Sequence, residues 1–193
     1  MVRYEHPNPG DLLHIDTKKL ARIHRPGHRI TKNPRDETRG AGWETLHVAI
    51  DDHSRIACGQ LLANERADSS VAFLHAAVAN YAERGIAIHR VMTDNAPCYY
   101  SRAFAQACQQ LNIRHLRTRP YTPRTNGKAE RFIQTALREW AYARLYQNSD
   151  ERRLHLKPWL HQYNWHRPHT SLNQSPPISR SPLQGNNLLT HHI

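Results

Sequence analysis

Pro120-Tyr-Thr-Pro-Arg-Thr-Asn-Gly-Lys-Ala-Glu130-Arg131 is the stretch that decides how this chain is read. Two prolines, Asn and Gly mark a loop. An apolar stripe then begins at Ala129 and recurs at Phe132, Ile133, Ala136, Leu137 and Trp140, the 3.6-residue period of an amphipathic helix. The longest helix is therefore expected to start near Thr125 or Asn126. Glu130 falls at the edge of the stripe, where a carboxylate can face a cleft while its neighbours face a core.

Upstream of that block lie five strand patterns. They are Leu12–Leu20, Thr45–Ile50, Ile56–Leu62, Ile88–Thr93 and Ile113–Thr118. The second and third are joined by Asp51-Asp52-His53-Ser54-Arg55, which predicts a hairpin. A helical pattern covers Ala67–Glu83 with Gly85 as its stop. Ser101 is placed to cap a short helix carrying Phe104, Cys108 and Leu111. A second late helix is expected over Arg152–Asn164. The order of strands and helices predicts an α/β fold with a mixed sheet flanked by helices. Residues 21–42 are rich in Arg, Gly and Pro and read as a long loop insertion within a core of residues 1–172. Residues 173–193 form a Pro-containing tail with little beyond short turns.

Composition narrows the partners. Across 193 residues, 27 Lys+Arg face 16 Asp+Glu, a formal charge of +11 that suits a polyanion such as DNA. No apolar run reaches the roughly 18–20 residues of a membrane helix, and the N-terminus lacks a signal-peptide core, so a cytoplasmic protein is expected. The three cysteines have no CxxC spacing, which signals neither a disulfide framework nor a thiolate zinc site. His161, His166 and His169 lack Cys partners and do not share one helical face, so they read as a polar helix end.

Three acids stand out. Asp16 sits in an apolar strand pattern, where a carboxylate is disfavoured unless it is used; it also reads as a solvent-facing residue paired with Lys18. Asp94 ends the fourth strand, the carboxyl edge where α/β ligands bind; Asp-Asn-x-Pro is also ordinary turn chemistry. Glu130 near a helix start also complements the helix dipole. It follows Asp94 by 36 positions (130 − 94). Asp51 and Asp52 are rival carboxylates that read as turn residues. Three acids on rigid elements can hold two Mg²⁺ or Mn²⁺ ions at a phosphodiester. Around Glu130, Arg119, Tyr121, Arg124, Asn126, Lys128 and Arg131 combine cations with an aromatic that could stack on a base, a pattern suited to DNA. Lys18 and Lys19 could touch the backbone beside Asp16.

Several blocks together resemble the catalytic core of DDE insertion-sequence transposases of the retroviral-integrase superfamily. They are His14-Ile-Asp16-Thr-Lys-Lys19, Val48-Ala-Ile-Asp-Asp-His-Ser-Arg55, Thr93-Asp-Asn95, Thr118 to Phe132, and Tyr163-Asn-Trp-His-Arg-Pro-His169. The resemblance spans about residues 8–180. It implies a ribonuclease-H-like fold with a five-stranded mixed sheet. It implies that Asp16, Asp94 and Glu130 are the catalytic metal ligands, taking two Mg²⁺ or Mn²⁺ ions. It implies transposition and integration of DNA, with water and then the freed 3′-hydroxyl as nucleophiles and no covalent protein–DNA intermediate. At least a dimer is implied as the active form, holding element ends and target. The chain departs from the family in two ways. Asp94-Asn95 is followed by Ala96-Pro97 rather than Gly; if Gly supplied a positive φ there, Ala96 would be strained. The family's N-terminal helix-turn-helix region also does not precede the core in this sequence. Those departures leave an alternative expectation, a transposase remnant that binds DNA without cutting.

Overall fold

A computed structural model describes residues 5–25, 32–33, 40–118 and 126–182. Five strands form one sheet: β1 (Leu13–Ala21), β2 (Trp43–Asp51), β3 (Ala57–Leu62), β4 (Arg90–Thr93) and β5 (Arg114–Arg117), in the spatial order β3-β2-β1-β4-β5. β1–β2 and β2–β3 pair antiparallel, while β1–β4 and β4–β5 pair parallel. The mixed sheet expected from the sequence is therefore present, with the ribonuclease-H-like strand arrangement.

Side-chain alternation along the central strands separates two cores. On one face Leu13, Ile15, Ala49 and Val91 pack with Phe73, Leu74, Ala77 and Tyr81 of α1 (Ala67–Ala82) and with Phe104 and Cys108 of α2 (Arg102–Gln110). On the other face Leu20, Leu46, Val48 and Ile50 pack with Ala129, Phe132, Ile133 and Ala136 of α3 (Gly127–Ala136). The apolar stripe that defined α3 in the sequence is the face it buries. Ser101 caps α2 as expected, accepting a hydrogen bond from Phe104 N at 3.1 Å.

Two helix expectations need correcting. α3 has ten residues and continues as a π-helical turn over Leu137–Ala141, so α1 with 16 residues is the longer helix. The helix expected over Arg152–Asn164 is split into α4 (Ser149–Leu154) and α5 (Leu156–Trp165). Pro158 has no N–H to offer the carbonyl of Leu154, four residues back, so the ladder breaks there.

Two connections hold the outer segments. Gly10 has φ +84°, and a Cβ there would come within 2.0 Å of the Ala87 carbonyl oxygen, so only Gly lets the N-terminal segment run this close to the chain before β4. Arg152, fully buried, donates to Glu44 at 2.6 Å and to the Ala21 carbonyl at 2.7 Å, tying α4 to the end of β1 and the start of β2. The tail contributes short 3₁₀ turns, as expected. Its Arg180 pairs with Glu5, and Ser181 Oγ donates to the Arg84 carbonyl at 3.2 Å. The described part of the tail is thereby pinned to the body. Most of the 21–42 insertion lies outside the described residues.

Candidate active site

Asp16 lies mid-way along β1, on the face that carries His14, Lys18 and Leu20 and that meets α3. His14 pairs with Met92 in the parallel β1–β4 ladder. The ladder ends at that pair; Asp16 lies two residues further along β1, and Asp94 follows directly after β4. Glu130 approaches from α3. Four residues before it, Asn126 Nδ2 donates to the Ile15 carbonyl at 3.3 Å. One helical turn past that anchor comes Glu130, exposed, on the helix that packs against β1 and β2.

Asp94 and Glu130 both act on the Asp16 carboxyl. Burial pushes the Asp16 carboxyl up to about 6, and the charges of Asp94 and Glu130 push it the same way; the Thr17 N–H and Lys18 oppose them. Thr17 N donates to Asp16 Oδ1 at 2.7 Å. Among the described residues, no three His, Cys, Asp or Glu side chains are grouped so that they could hold a metal ion. Asp16, Asp94 and Glu130 carry carboxylate oxygens, the ligand type that hard divalent cations take.

Asp94 is well fastened. Its Oδ1 accepts from Ala96 N at 3.0 Å. The next residue, Asn95, donates to the Thr118 carbonyl at 3.0 Å and accepts from Tyr100 OH at 3.0 Å, while the Arg117 guanidinium lies 4.1 Å from the Tyr100 ring centroid. Ala96 has φ −65° and ψ 146°, the extended conformation that Pro97 imposes on it. The strain expected from replacing Gly is therefore absent, and Pro97 opens a short 3₁₀ turn instead.

The expected turn at Asp51–Arg55 is present, but it does more than reverse the chain. Asp51 Oδ2 accepts from Ser54 N and Oγ, both at 2.7 Å, and its Oδ1 accepts from Gly10 N at 2.8 Å. Asp52 is buried and engages three segments. Its Oδ2 accepts from His6 N at 2.8 Å; its Oδ1 accepts from His14 Nε2 at 2.9 Å and from Lys128 Nζ. Burial works against its charge, yet the hydrogen bonds from His14, Lys128 and His6 hold its carboxyl well below the usual carboxylate range. No local signal revealed this role, because the partners lie 38 and 76 residues away.

The residues expected at DNA divide by location. Lys18 and Lys19 are exposed beside Asp16, with Lys19 paired to Glu65 at 2.6 Å. Arg131 is exposed on α3. Lys128 stands with its ammonium on Asp52, and Asn126 is buried with its Oδ1 3.2 Å from His14 Nδ1. Arg119, Tyr121 and Arg124 lie outside the described residues. Beside α3 opens a cleft of about 540 Å³ lined by Arg55, Lys128, Arg131, Arg138, Arg167 and His169. Burial there pushes the His169 imidazole down to about 4, and the Arg167 and Arg55 charges add to the effect. Glu139 pairs with Arg138 at 3.0 Å and Arg167 at 2.9 Å, offsetting part of this positive field. His161 and His166 face one another at 3.1 Å, apart from the acids.

Comparison with known proteins speaks to family and fold. Residues 6–123 and 111–177 match two families, each described as an integrase core domain. A putative integrase of Spiroplasma virus SpV1-C74 is 27% identical over 143 residues, 67% of this chain and 40% of that protein. An uncharacterized 39.2 kDa protein of insertion element IS476 from Xanthomonas euvesicatoria is 35% identical over 91 residues, 45% of this chain and 25% of that protein. The chain thus spans less than half the length of these relatives. Among solved structures, the HTLV-2 integrase catalytic core domain in complex with magnesium superposes with a TM-score of 0.61 at 16% identity, covering 90% of this chain and 97% of that one. A chain of the simian T-cell lymphotropic virus intasome superposes at 0.68 with 21% identity, covering 97% of this chain and 62% of that one. Together with the strand order, these matches show that the chain belongs to the integrase core domain family.

Proposed function

We propose that this chain is the catalytic core of a DDE-type transposase, a polynucleotidyl transferase that cleaves and joins DNA. The observation that supports the reading is that the charges of Asp94, after β4, and Glu130, on α3, both act on the half-buried Asp16 carboxyl of β1. In this reading Asp16, Asp94 and Glu130 would together hold two Mg²⁺ or Mn²⁺ ions. The ions would supply charge neutralisation at the scissile phosphate and lower the pKa of the attacking water. Asp16 would be ionised when they bind, and Thr17 N–H fixes one of its oxygens. In the first step a water oxygen bonds to phosphorus and the 3′ oxygen leaves as a free hydroxyl. In the second, that hydroxyl bonds to a target phosphorus and the target's own 3′ oxygen leaves. No protein side chain enters a covalent bond.

Lys18, Lys19 and Arg131 flank the acids and would take backbone phosphates, with Arg119, Tyr121 and Arg124 on the preceding segment. The +11 formal charge supports a polyanionic partner. The magnesium of the HTLV-2 integrase core and its dimeric and trimeric forms support divalent metal and an oligomer of at least two copies here. No helix among the described residues is long and apolar enough to cross a membrane; we place the activity in the cytoplasm, at DNA. The reading of a remnant that binds without cutting loses one support, since Ala96 is unstrained.

The test is nicking and strand transfer on element-end DNA with Mn²⁺, using the protein joined to any end-recognising region its gene encodes. Cleavage should require the metal and drop at least about a hundredfold in Glu130→Gln. Turnover unchanged in that variant would refute the assignment.

A further inference from the structure

Glu130 is exposed and makes no hydrogen bond or ion pair among the described residues. Its position is therefore inherited from the first turn of α3. Core packing through Ala129, Phe132 and Ile133 fixes which face of α3 meets the sheet. Apolar contacts are non-directional, so they leave the end of a helix free to rock. Directional contacts hold this end: Asn126 reaches the Ile15 carbonyl directly, and the others run through one buried group. Asp52 accepts from Lys128 Nζ, two residues before Glu130, and from His14 Nε2, two residues before Asp16. Lys128 Nζ also donates to the Asp52 carbonyl at 3.1 Å, and Arg55 Nη1 donates to the same carbonyl. Asp52 N donates to the Leu12 carbonyl at 2.9 Å, so the carboxylate itself is anchored to the base of β1. His14 closes the circuit by meeting Asn126, which holds the Ile15 carbonyl.

We propose that Asp52 is a positioning residue. It clamps β1 to the first turn of α3 through His14 and Lys128, and so sets the separation of Asp16 and Glu130. This rests on the reading of those two acids as metal ligands. It also assigns Lys128 to the clamp rather than to a DNA phosphate. A buried ion pair is poor evidence for stability but can specify one arrangement among several of similar energy. Supporting contacts of this kind matter to a metal site out of proportion to their distance from it.

Full-length Asp52→Asn and Lys128→Met test the clamp by three measurements on the folded protein. Amide exchange at residues 127–130 should speed up at least about tenfold, while the β2–β3 ladder changes less than about twofold. The Kd for Mn²⁺ by calorimetry should rise about tenfold or more. Single-turnover cleavage against DNA concentration should show kcat down about 10- to 100-fold with KM for DNA within about twofold. A merely structural role would lower Tm and leave the kcat of the folded fraction intact. Wild-type exchange at 127–130 in Asp52→Asn would overturn the proposal. So would a loosened turn with wild-type kcat and Mn²⁺ affinity. If Lys128→Met instead raises KM and lowers the salt slope of DNA binding by about one, Lys128 is a phosphate contact and the clamp is refuted. If wild-type protein shows no Asp16-dependent Mn²⁺ binding and no cleavage, the functional reading has failed, and amide exchange alone decides the clamp.

Discussion

Neutralising Asp16 should stabilise the metal-free protein. Burial, helped by the charges of Asp94 and Glu130, raises its pKa from 3.8 to about 6. Between those values the folded state holds a proton that the unfolded state has lost, so stability falls as pH rises through that window. Above pH 6 the ionised carboxylate costs 2.2 units (6 − 3.8), or about 3 kcal/mol at 1.36 kcal/mol per unit. Asp16→Asn removes the charge and keeps an oxygen to accept from Thr17 N. For a chain of this length 1 kcal/mol moves Tm by about 2–4 °C. The variant should therefore melt about 6–12 °C above wild type at pH 7.5 in chelator. At pH 4.5, where wild-type Asp16 is protonated when folded, the gain should shrink to about 1 kcal/mol. Mn²⁺ at a thousandfold its Kd should reverse the order at pH 7.5, since it adds about 4.1 kcal/mol to a protein that binds it. Differential scanning calorimetry at the two pH values measures all of this. An Asp16→Asn Tm equal to or below wild type at pH 7.5 in chelator would refute the reasoning.

Two further substitutions probe the frame that carries the site. Gly10→Ala places a Cβ at 2.0 Å from the Ala87 carbonyl oxygen at a φ of +84°, and should cost more than about 3 kcal/mol in urea denaturation; a cost under 1 kcal/mol would contradict the close approach. Arg152→Met leaves Glu44 buried with only Arg153, at 3.7 Å, among the described residues, and should cost about 3 kcal/mol, most of it recovered by adding Glu44→Gln; additive losses in the double variant would show that the pair is not coupled.

Much of this fold was legible because its signals are local. The α3 stripe from Ala129 to Trp140, the Ser101 cap and the Asp51–Arg55 turn each declare themselves within a few residues. Asp16 could be singled out because a carboxylate in an apolar strand is costly. What stayed hidden depends on contacts distant in sequence. Asp52 looked like a turn residue, and only the packing of α3 on β1 brings His14 and Lys128 to it. Asn126 had the composition of a DNA contact, yet it is buried against β1. The split of the helix at His155 has a local signal in Pro158, four residues after Leu154. The Ala96 expectation failed for a local reason: Pro97 requires the extended conformation that the loop provides.

The central claim is that Asp16, Asp94 and Glu130 form a metal site. Crystals of the protein soaked in Mn²⁺ and measured at a wavelength where manganese scatters anomalously test it most directly. The account predicts one or two anomalous peaks ligated by these three carboxylates at roughly 2.0–2.3 Å, and none there in Glu130→Gln crystals. Manganese bound elsewhere with the three acids bare, or an undiminished peak in the variant, would contradict it.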